Sequence, residues 1–291
     1  MKKIILLSAA ILSFGMLSAQ NTENQNIIEV TQLTDGIYRL FVDNRVAVLV
    51  QTGPDGALVV DAAYERTGEQ LKEAISKLTD KPVKFLINTH LHGDHTGGNA
   101  ALGKDVHIIA HPSVKDFLSQ EQKRGETTLP AAPIHARPDI CIEGKTTLSF
   151  NGENVEILPL TGGHTRGDLI VYFPSAKVLQ VGDLLFAGYF PYVDVSNGGN
   201  PMVYLQNVEW ILNNYPDDVK FVGGHGPVFN KQQMQEHLNA LKETVDVMRN
   251  AKTSGMDAEK MKAGRILDKW ENFGKFFITE DLWIDTVYPF L

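Results

Sequence analysis

Residues 83–99 read VKFLINTHLHGDHTGGN, an apolar run that stops abruptly in a cluster of metal-ligating side chains. A run of this kind predicts a buried strand, and burial on both faces requires a sheet covered on both sides. Directly after it, His90, His92, Asp94 and His95 crowd into six positions, with Gly93 among them and Gly97 and Gly98 just beyond. Four such groups beside a buried strand are costly unless something gathers them, and a cation does. On extended backbone His90, His92 and Asp94 point to one side, because side chains alternate along a strand. Gly93 permits a turn that swings His95 toward a neighbouring point, which suits two ions side by side.

Three further polar islands each follow an apolar strand. LPLTGGHTRGD offers His164, VLQVGDLLF offers Asp183, and KFVGGHGPV offers His225 between glycines. Glycine-rich flanks let the backbone hold a side chain against a metal, and loops at strand ends are where sites sit. Imidazole and carboxylate without thiolate suit zinc, and iron or manganese also accept them. The other histidines read differently. His107 lies inside a strand and His111 opens a helix. His135 sits in a proline-rich loop that borders the cleft at most, and His237 falls on a polar helix face. Cys141 alternates with Ile140 and Ile142, which predicts burial as a small hydrophobe rather than a thiol that reacts or binds metal.

Around these islands the chain alternates between strand and helix signals. Strands are predicted at 26–30, 36–42, 46–52 and 56–61, separated by turn residues. A helix follows over 67–78, with Leu71, Ala74, Ile75 and Leu78 at helix spacing. Strands at 83–89 and 105–110, a helix over 111–124 and a proline-rich loop at 128–139 complete the first half. The second half repeats the theme with strands at 146–150, 153–160, 168–173, 177–183 and 219–224, and a helix near Met202 to Asn213. Two helices fill 231–264. Meanders followed by mixed strands and helices in both halves predict two sheets in one sandwich with helices outside. No low-complexity linker interrupts residues 20–291, so a single mature domain is expected, its 231–291 part mainly helical.

Lys2 and Lys3 precede an apolar stretch from Ile4 to Leu17, and Ser18 and Ala19 follow. That stretch falls short of the roughly 20 residues a membrane span needs. Residues 1–19 read as a cleaved signal peptide, which predicts a periplasmic or secreted protein with no stable membrane insertion after cleavage. The chain carries 27 basic and 35 acidic residues, a net −8; losing Lys2 and Lys3 leaves 25 bases and a net −10. An acidic chain without a basic patch excludes a nucleic-acid partner and leaves a small-molecule substrate as the expectation. The oligomeric state is left open.

THLHGDH, GGHTRGD, GD and GHG, in that order, resemble the metallo-β-lactamase superfamily over about residues 27–230. The resemblance implies an α+β fold, the four-layer αββα sandwich, with metals in a cleft at one edge of the sheets. By position it implies that His90, His92 and His164 hold a first ion, that Asp94, His95 and His225 hold a second, and that Asp183 bridges them. Asp61, closing the strand ALVVD, would steer the ligands by hydrogen bonds. Two zinc ions would share a water and present hydroxide to a carbonyl, with Asp94 as the catalytic group orienting that nucleophile.

The substrate stays open at this level: a β-lactam or other cyclic amide or ester, a thioester as in glyoxalase II, or a lactone. An iron-dependent oxygenase of the same fold is the alternative of another class. Many zinc β-lactamases carry cysteine where this chain has Asp183, and three positions later a lysine where it has Phe186. Glyoxalase II has a longer helical extension, and Arg249 and Lys252, although on one helix, make no convincing anion clamp. Phe186, Tyr189, Phe190 and Tyr192 either line the cleft or only pack. Trp283 and Tyr288 either anchor the tail or form an oligomer contact.

Overall fold

The computed structural model describes residues 28–102 and 105–291; the expected signal peptide lies outside them. Short β-rich segments joined by tight turns build an antiparallel meander of β1 (Ile28–Thr34), β2 (Ile37–Val42), β3 (Val46–Gly53) and β4 (Gly56–Val60). Asp43 and Asn44, both at positive φ (54° and 53°), make the β2–β3 turn the mirror-image type that fits the strand twist. Helix α1 (Gly68–Ser76) then crosses to β5 (Val83–Ile87), which pairs parallel to β4. Two short helices, α2 (Gly93–Thr96) and α3 (Asn99–Leu102), lead toward β6 (His107–Ala110) and α4 (Pro112–Leu118). A hairpin of β7 (Gln122–Arg124) and β8 (Thr127–Leu129) stands apart, and β9 (Ile140–Cys141) ends the seven-stranded first sheet, ordered β1-β2-β3-β4-β5-β6-β9.

The second sheet runs β10 (Thr146–Phe150), β11 (Glu153–Pro159), β12 (Leu169–Phe173), β13 (Val178–Phe186) and β14 (Lys220–His225) in that spatial order. Its last pair is parallel, because α5 (Pro201–Asn214) crosses between β13 and β14. Helices α6 (Lys231–Thr253), α7 (Ala258–Ala263) and α8 (Glu280–Val287) follow.

Strand alternation sorts the side chains into layers. Leu49, Leu58, Val60 and Ile87 of the first sheet meet Val155, Ile157, Val171 and Val222 of the second. Val48, Val50, Val59 and Leu86, one position over, pack under Leu71 and Ile75 of α1. On the far side, Leu179, Val181 and Phe221 lie under Tyr204 and Val208 of α5 and Leu238 and Leu241 of α6. The result is helix, sheet, sheet, helix: the αββα sandwich. No described helix is long and apolar enough to cross a membrane.

Several expectations need correction. The helix expected over 111–124 ends at Leu118, and Gln122–Arg124 is a hairpin strand instead. Gly125 at φ 60° makes the hairpin turn, and the Gln122 amide donates to the Phe117 carbonyl at the helix end (2.7 Å). Cys141 is exposed, not buried, because β9 is a two-residue strand at the sheet edge and both of its residues face solvent. His237 is buried, because on α6 it shares a face with Met234 and Leu241, three and four positions away, and packs against Phe229 and Phe273. Trp283 anchors the tail: it is fully buried and its indole N–H donates to the Thr244 hydroxyl (2.9 Å).

Candidate metal centre

The site forms where strand ends of both sheets meet. Beyond β5 the chain is extended only as far as His92, which precedes the single helical turn of α2. His95 N and Thr96 N donate to the His92 carbonyl (both 3.0 Å), so the turn closes tightly. Asp94 therefore leaves the side of His90 and His92, where an extended backbone would put it, and joins His95. The turn packs against the end of β4 so closely that a Cβ at Gly98 would overlap the Ala62 carbonyl oxygen. Asp61, at the end of β4, holds the left-handed φ of 66°. Its carboxylate accepts from Thr89 N (2.8 Å) and Thr89 Oγ1 (2.8 Å) and pairs with His95 Nδ1 (2.8 Å).

All seven predicted ligands converge. His90, His92, His164 and Asp183 form one group and Asp94, His95 and His225 a second, with candidate ligand atoms in each group within 4.8 Å of one another. Asp183 reaches both: its Oδ2 lies 3.4 Å from His164 Nε2 and 3.4 Å from His225 Nε2, and its Oδ1 lies 3.2 Å from His95 Nε2. The β14 backbone passes directly beneath this carboxylate. A Cβ at Gly224 would overlap Asp183 Oδ1 and come within 2.9 Å of the His95 ring, which explains the glycine before His225.

Each imidazole is aimed by its outer nitrogen. His164 Nδ1 donates to the Tyr192 carbonyl (2.7 Å) and His225 Nδ1 to the Arg45 carbonyl (2.6 Å), so both rings present a bare Nε2 lone pair inward. His92 Nε2 pairs with Asp194 Oδ2 (2.8 Å), turning Nδ1 inward to face His164 Nε2 at 2.9 Å. His90 Nδ1 meets Thr89 Oγ1 (3.0 Å), which is itself fixed to Asp61.

The inward atoms are not satisfied by the protein. Among the described residues His90 Nε2, His95 Nε2, His225 Nε2 and Asp183 Oδ1 are buried without a hydrogen-bond partner. Orphaned buried polar atoms are rare, and five nitrogen donors with two carboxylates around one point fit divalent cations. Electrostatics agree. Burial holds His90 well below its ordinary pKa and pushes His164 down to about 4, so both keep free lone pairs at neutral pH. Burial acts on His95 in the same sense, but Asp183, Asp61 and Asp94 outweigh it and raise the ring well above its usual value. Burial tends to raise Asp183, yet the surrounding histidines keep it well below the usual carboxylate range.

No sequence motif points to Asp194, although it orients His92 from 102 positions away. Burial works to raise its pKa, and hydrogen bonds from His92, Ser196 and Asn197 overcome this and keep it ionised. Asp168 is a second brace absent from the predicted set. It accepts from His164 N, Thr165 N and Thr165 Oγ1 and so fixes the loop that carries His164, while burial pushes its carboxyl up to about 7. The remaining histidines stay outside the two groups. His111 caps α4 through Ser113 N, His107 pairs with Asp139 at the surface, and His135 lies in a short 3-10 turn.

A cleft of about 1150 Å³ opens onto the ligands. Its lining includes Tyr64, Lys123, Leu129, Tyr192 and Phe277. Leu129, Tyr192 and Phe277 are unusually exposed for apolar side chains, at 39%, 37% and 40%. Of the aromatics Phe186, Tyr189, Phe190 and Tyr192, only Tyr192 lines this cleft. Phe186 is buried and stacks on His225 (4.8 Å between centroids), and Phe190 stacks on Trp283 in the core (5.9 Å). Tyr189 lies against Phe276 (4.9 Å), beside a smaller cavity.

Known proteins resemble this chain in sequence and in fold. The chain is 29% identical over 191 residues to "Probable metallo-hydrolase YqgX" of Bacillus subtilis (strain 168), covering 64% of this chain and 88% of that protein. It is 32% identical over 146 residues to a hydroxyacylglutathione hydrolase of Gloeobacter violaceus (strain ATCC 29082 / PCC 7421), half the length of each. The solved structure of a metallo-beta-lactamase from Pontibacter korlensis superposes with a TM-score of 0.61 at 22% identity, covering 74% of this chain and 99% of that one, and shows the common fold. The sequence profile described as "Metallo-beta-lactamase superfamily" matches residues 40–243, a span containing every ligand of both groups. With the sandwich, the converging ligands and that profile in agreement, the chain belongs to the metallo-beta-lactamase superfamily.

Proposed function

We propose that the protein is an exported hydrolase that holds two zinc ions, one in each ligand group, and cleaves a carbonyl compound with an apolar acyl part. The observation that carries this reading is Asp183, whose two oxygens reach histidines of both groups while the inward atoms of His90, His95 and His225 go unpartnered. Zinc in such a site supplies Lewis-acid chemistry, acidifying water toward neutral pH and polarising a carbonyl oxygen.

The chain's own residues divide the remaining tasks. Asp94 is the carboxylate that can meet substrate: its side chain is 25% exposed, against 3% for Asp183. It orients the attacking water and carries the proton between water and leaving group. Leu129, Tyr192 and Phe277 hold the acyl part and keep bulk water out.

Within this class we favour a thioester or lactone over a β-lactam. Phe186 occupies the position where many zinc β-lactamases place a lysine, and here that side chain is buried under His225 and presents no cation to a substrate carboxylate. The similarity to a hydroxyacylglutathione hydrolase supports the thioester. The test is a hydrolysis panel on protein of measured zinc content: S-lactoylglutathione, an acyl-homoserine lactone, nitrocefin, a carbapenem and a phosphodiester. Turnover of the thioester or lactone is expected. A protein with two zinc ions that hydrolyses none of the five, or one that isolates with a single iron and consumes oxygen, would refute the proposal. Export is checked by the mass of the secreted chain, expected to begin at Gln20.

A further inference from the structure

Behind the loop that carries His225 lies a second cavity of about 260 Å³, separate from the metal cleft. Its walls include Arg39, Arg45, Asn44, Tyr189, Phe276 and Glu29. Arg39 projects from β2 toward the space between the sheets and is only 7% exposed. One of its nitrogens, Nη2, donates to the Gly226 carbonyl (2.6 Å), and its guanidinium lies over the Phe41 ring at 3.9 Å. Its Nε is buried with no partner, and among the described residues Arg39 makes no ion pair. Burial disfavours this cation, and the nearby charge of Glu29 offsets that only in part.

Arg45, at the β2–β3 turn, supplies a second guanidinium that makes no ion pair among the described residues; it lies 5.9 Å over the Phe276 ring. The Asn44 amide and the Tyr189 hydroxyl add two more side-chain donors. Among the described residues Glu29 is the one acid in the lining; its charge acts on Arg39, yet it comes within ion-pair distance of neither arginine, so the described lining carries a net positive charge. Both arginines also touch the metal loop: Arg39 through Gly226, and Arg45 through the carbonyl that receives His225 Nδ1.

From this arrangement we infer that the cavity is a binding site for a small oxyanion, a carboxylate or phosphate group held between Arg39 and Arg45. Guanidinium groups favour such ligands because their planar donors match two oxygens at once. The volume admits a small molecule, below the size range of drug-like ligands. An anion seated there also steadies the loop bearing His225, since the same two residues hold both.

Calorimetric titration of the zinc-loaded protein with sulfate, inorganic phosphate and succinate, against chloride at equal ionic strength, tests the site. Binding of at least one oxyanion is expected, weakened about tenfold or more in Arg45→Glu. Arg45 is exposed and contributes to His225 only through its backbone, so this variant folds where Arg39→Met could fail to. Anions also bind metals, so the titration is repeated on His92→Ala, where the oxyanion should still bind. An affinity lost in His92→Ala and kept in Arg45→Glu would place the anion on the metal and overturn the inference, as would no preference over chloride. Sulfate that raises KM for the substrate the enzyme hydrolyses would identify the bound group as the substrate's own; sulfate that binds and leaves KM unchanged would identify a separate ligand, and both outcomes keep the site.

Discussion

Replacing His237 with leucine removes an imidazole that α6 buries against Phe229 and Phe273 with neither ring nitrogen hydrogen-bonded among the described residues. Burial alone pushes this group from 6.5 down to about 4. The unfolded chain therefore takes up a proton near pH 6.5, whereas the folded chain refuses it until about pH 4. Above pH 6.5 both states hold the ring neutral and stability is unaffected; as pH falls through the window, the unfolded state gains. At about 1.36 kcal/mol per pH unit, the wild type loses about 3 kcal/mol across it that the leucine variant keeps.

The assay is urea unfolding of the zinc-loaded wild type and His237→Leu, followed by circular dichroism, in half-unit steps from pH 7.5 to 4. The metal ligands titrate in both proteins, and because His237 touches none of them their contribution cancels in the difference. The gap between the two curves should widen steadily below pH 6.5 in favour of the variant and level off near pH 4. At pH 7.5 the variant should be at least as stable, since it no longer buries an unpaired N–H. Curves that stay parallel from pH 7.5 to 4 would refute the reasoning and imply that water or a rearranged neighbour solvates the ring.

Four further outcomes are expected. Asp194→Ala, which frees His92 to rotate, should weaken zinc binding about 10–100-fold in a chelator competition while leaving the fold intact. Gly224→Ala should cost bound metal and activity together, since its methyl would displace Asp183 from between the two groups; full zinc content by elemental analysis would contradict the packing. Asp94→Ala should abolish turnover with little change in melting temperature, as the side chain is partly exposed; retained activity would remove it from the mechanism. Phe277→Ser should raise KM about tenfold for long acyl chains and leave acetyl substrates unchanged, measured on a series of esters.

The ligands are legible because their cost is local. Four ligating groups within six residues, directly after an apolar run, would lose solvation with nothing in return unless a cation gathered them, and the glycines at 98 and 224 mark places where backbone must pass within contact distance. The layers are legible for a similar reason, since alternation along each strand assigns a face to every residue. What stays hidden depends on partners far along the chain. His237 reads as polar until Phe229 and Phe273 close over it. Cys141 reads as buried until its strand proves to be two residues long at an exposed edge. Phe276 and Phe277 sit in a tail segment with no periodic pattern, yet both ring centroids come within 5.6 Å of that of His225. No local signal marks a residue whose role is to be a wall.

The division between ligands and braces also shows how the chain tolerates such a site. His90, His92, Asp94 and His95 follow the first sheet's β5, whereas His164, Asp183 and His225 belong to strands and loops of the second. Two of the braces cross the same seam: Asp194 reaches back to His92, and Arg45 on the first sheet receives His225 from the second. Every ring is thus aimed by the protein itself, and among the described residues four inward atoms have no protein partner, each a cost of about 1–3 kcal/mol unless a cation takes it. A flexible site would let those atoms turn toward water and lose its geometry. A rigid one keeps the geometry and the penalty, which a cation joining the two sheets can offset. Stability therefore has to come from the apolar layers on either side, and the ligands are free to be arranged for chemistry.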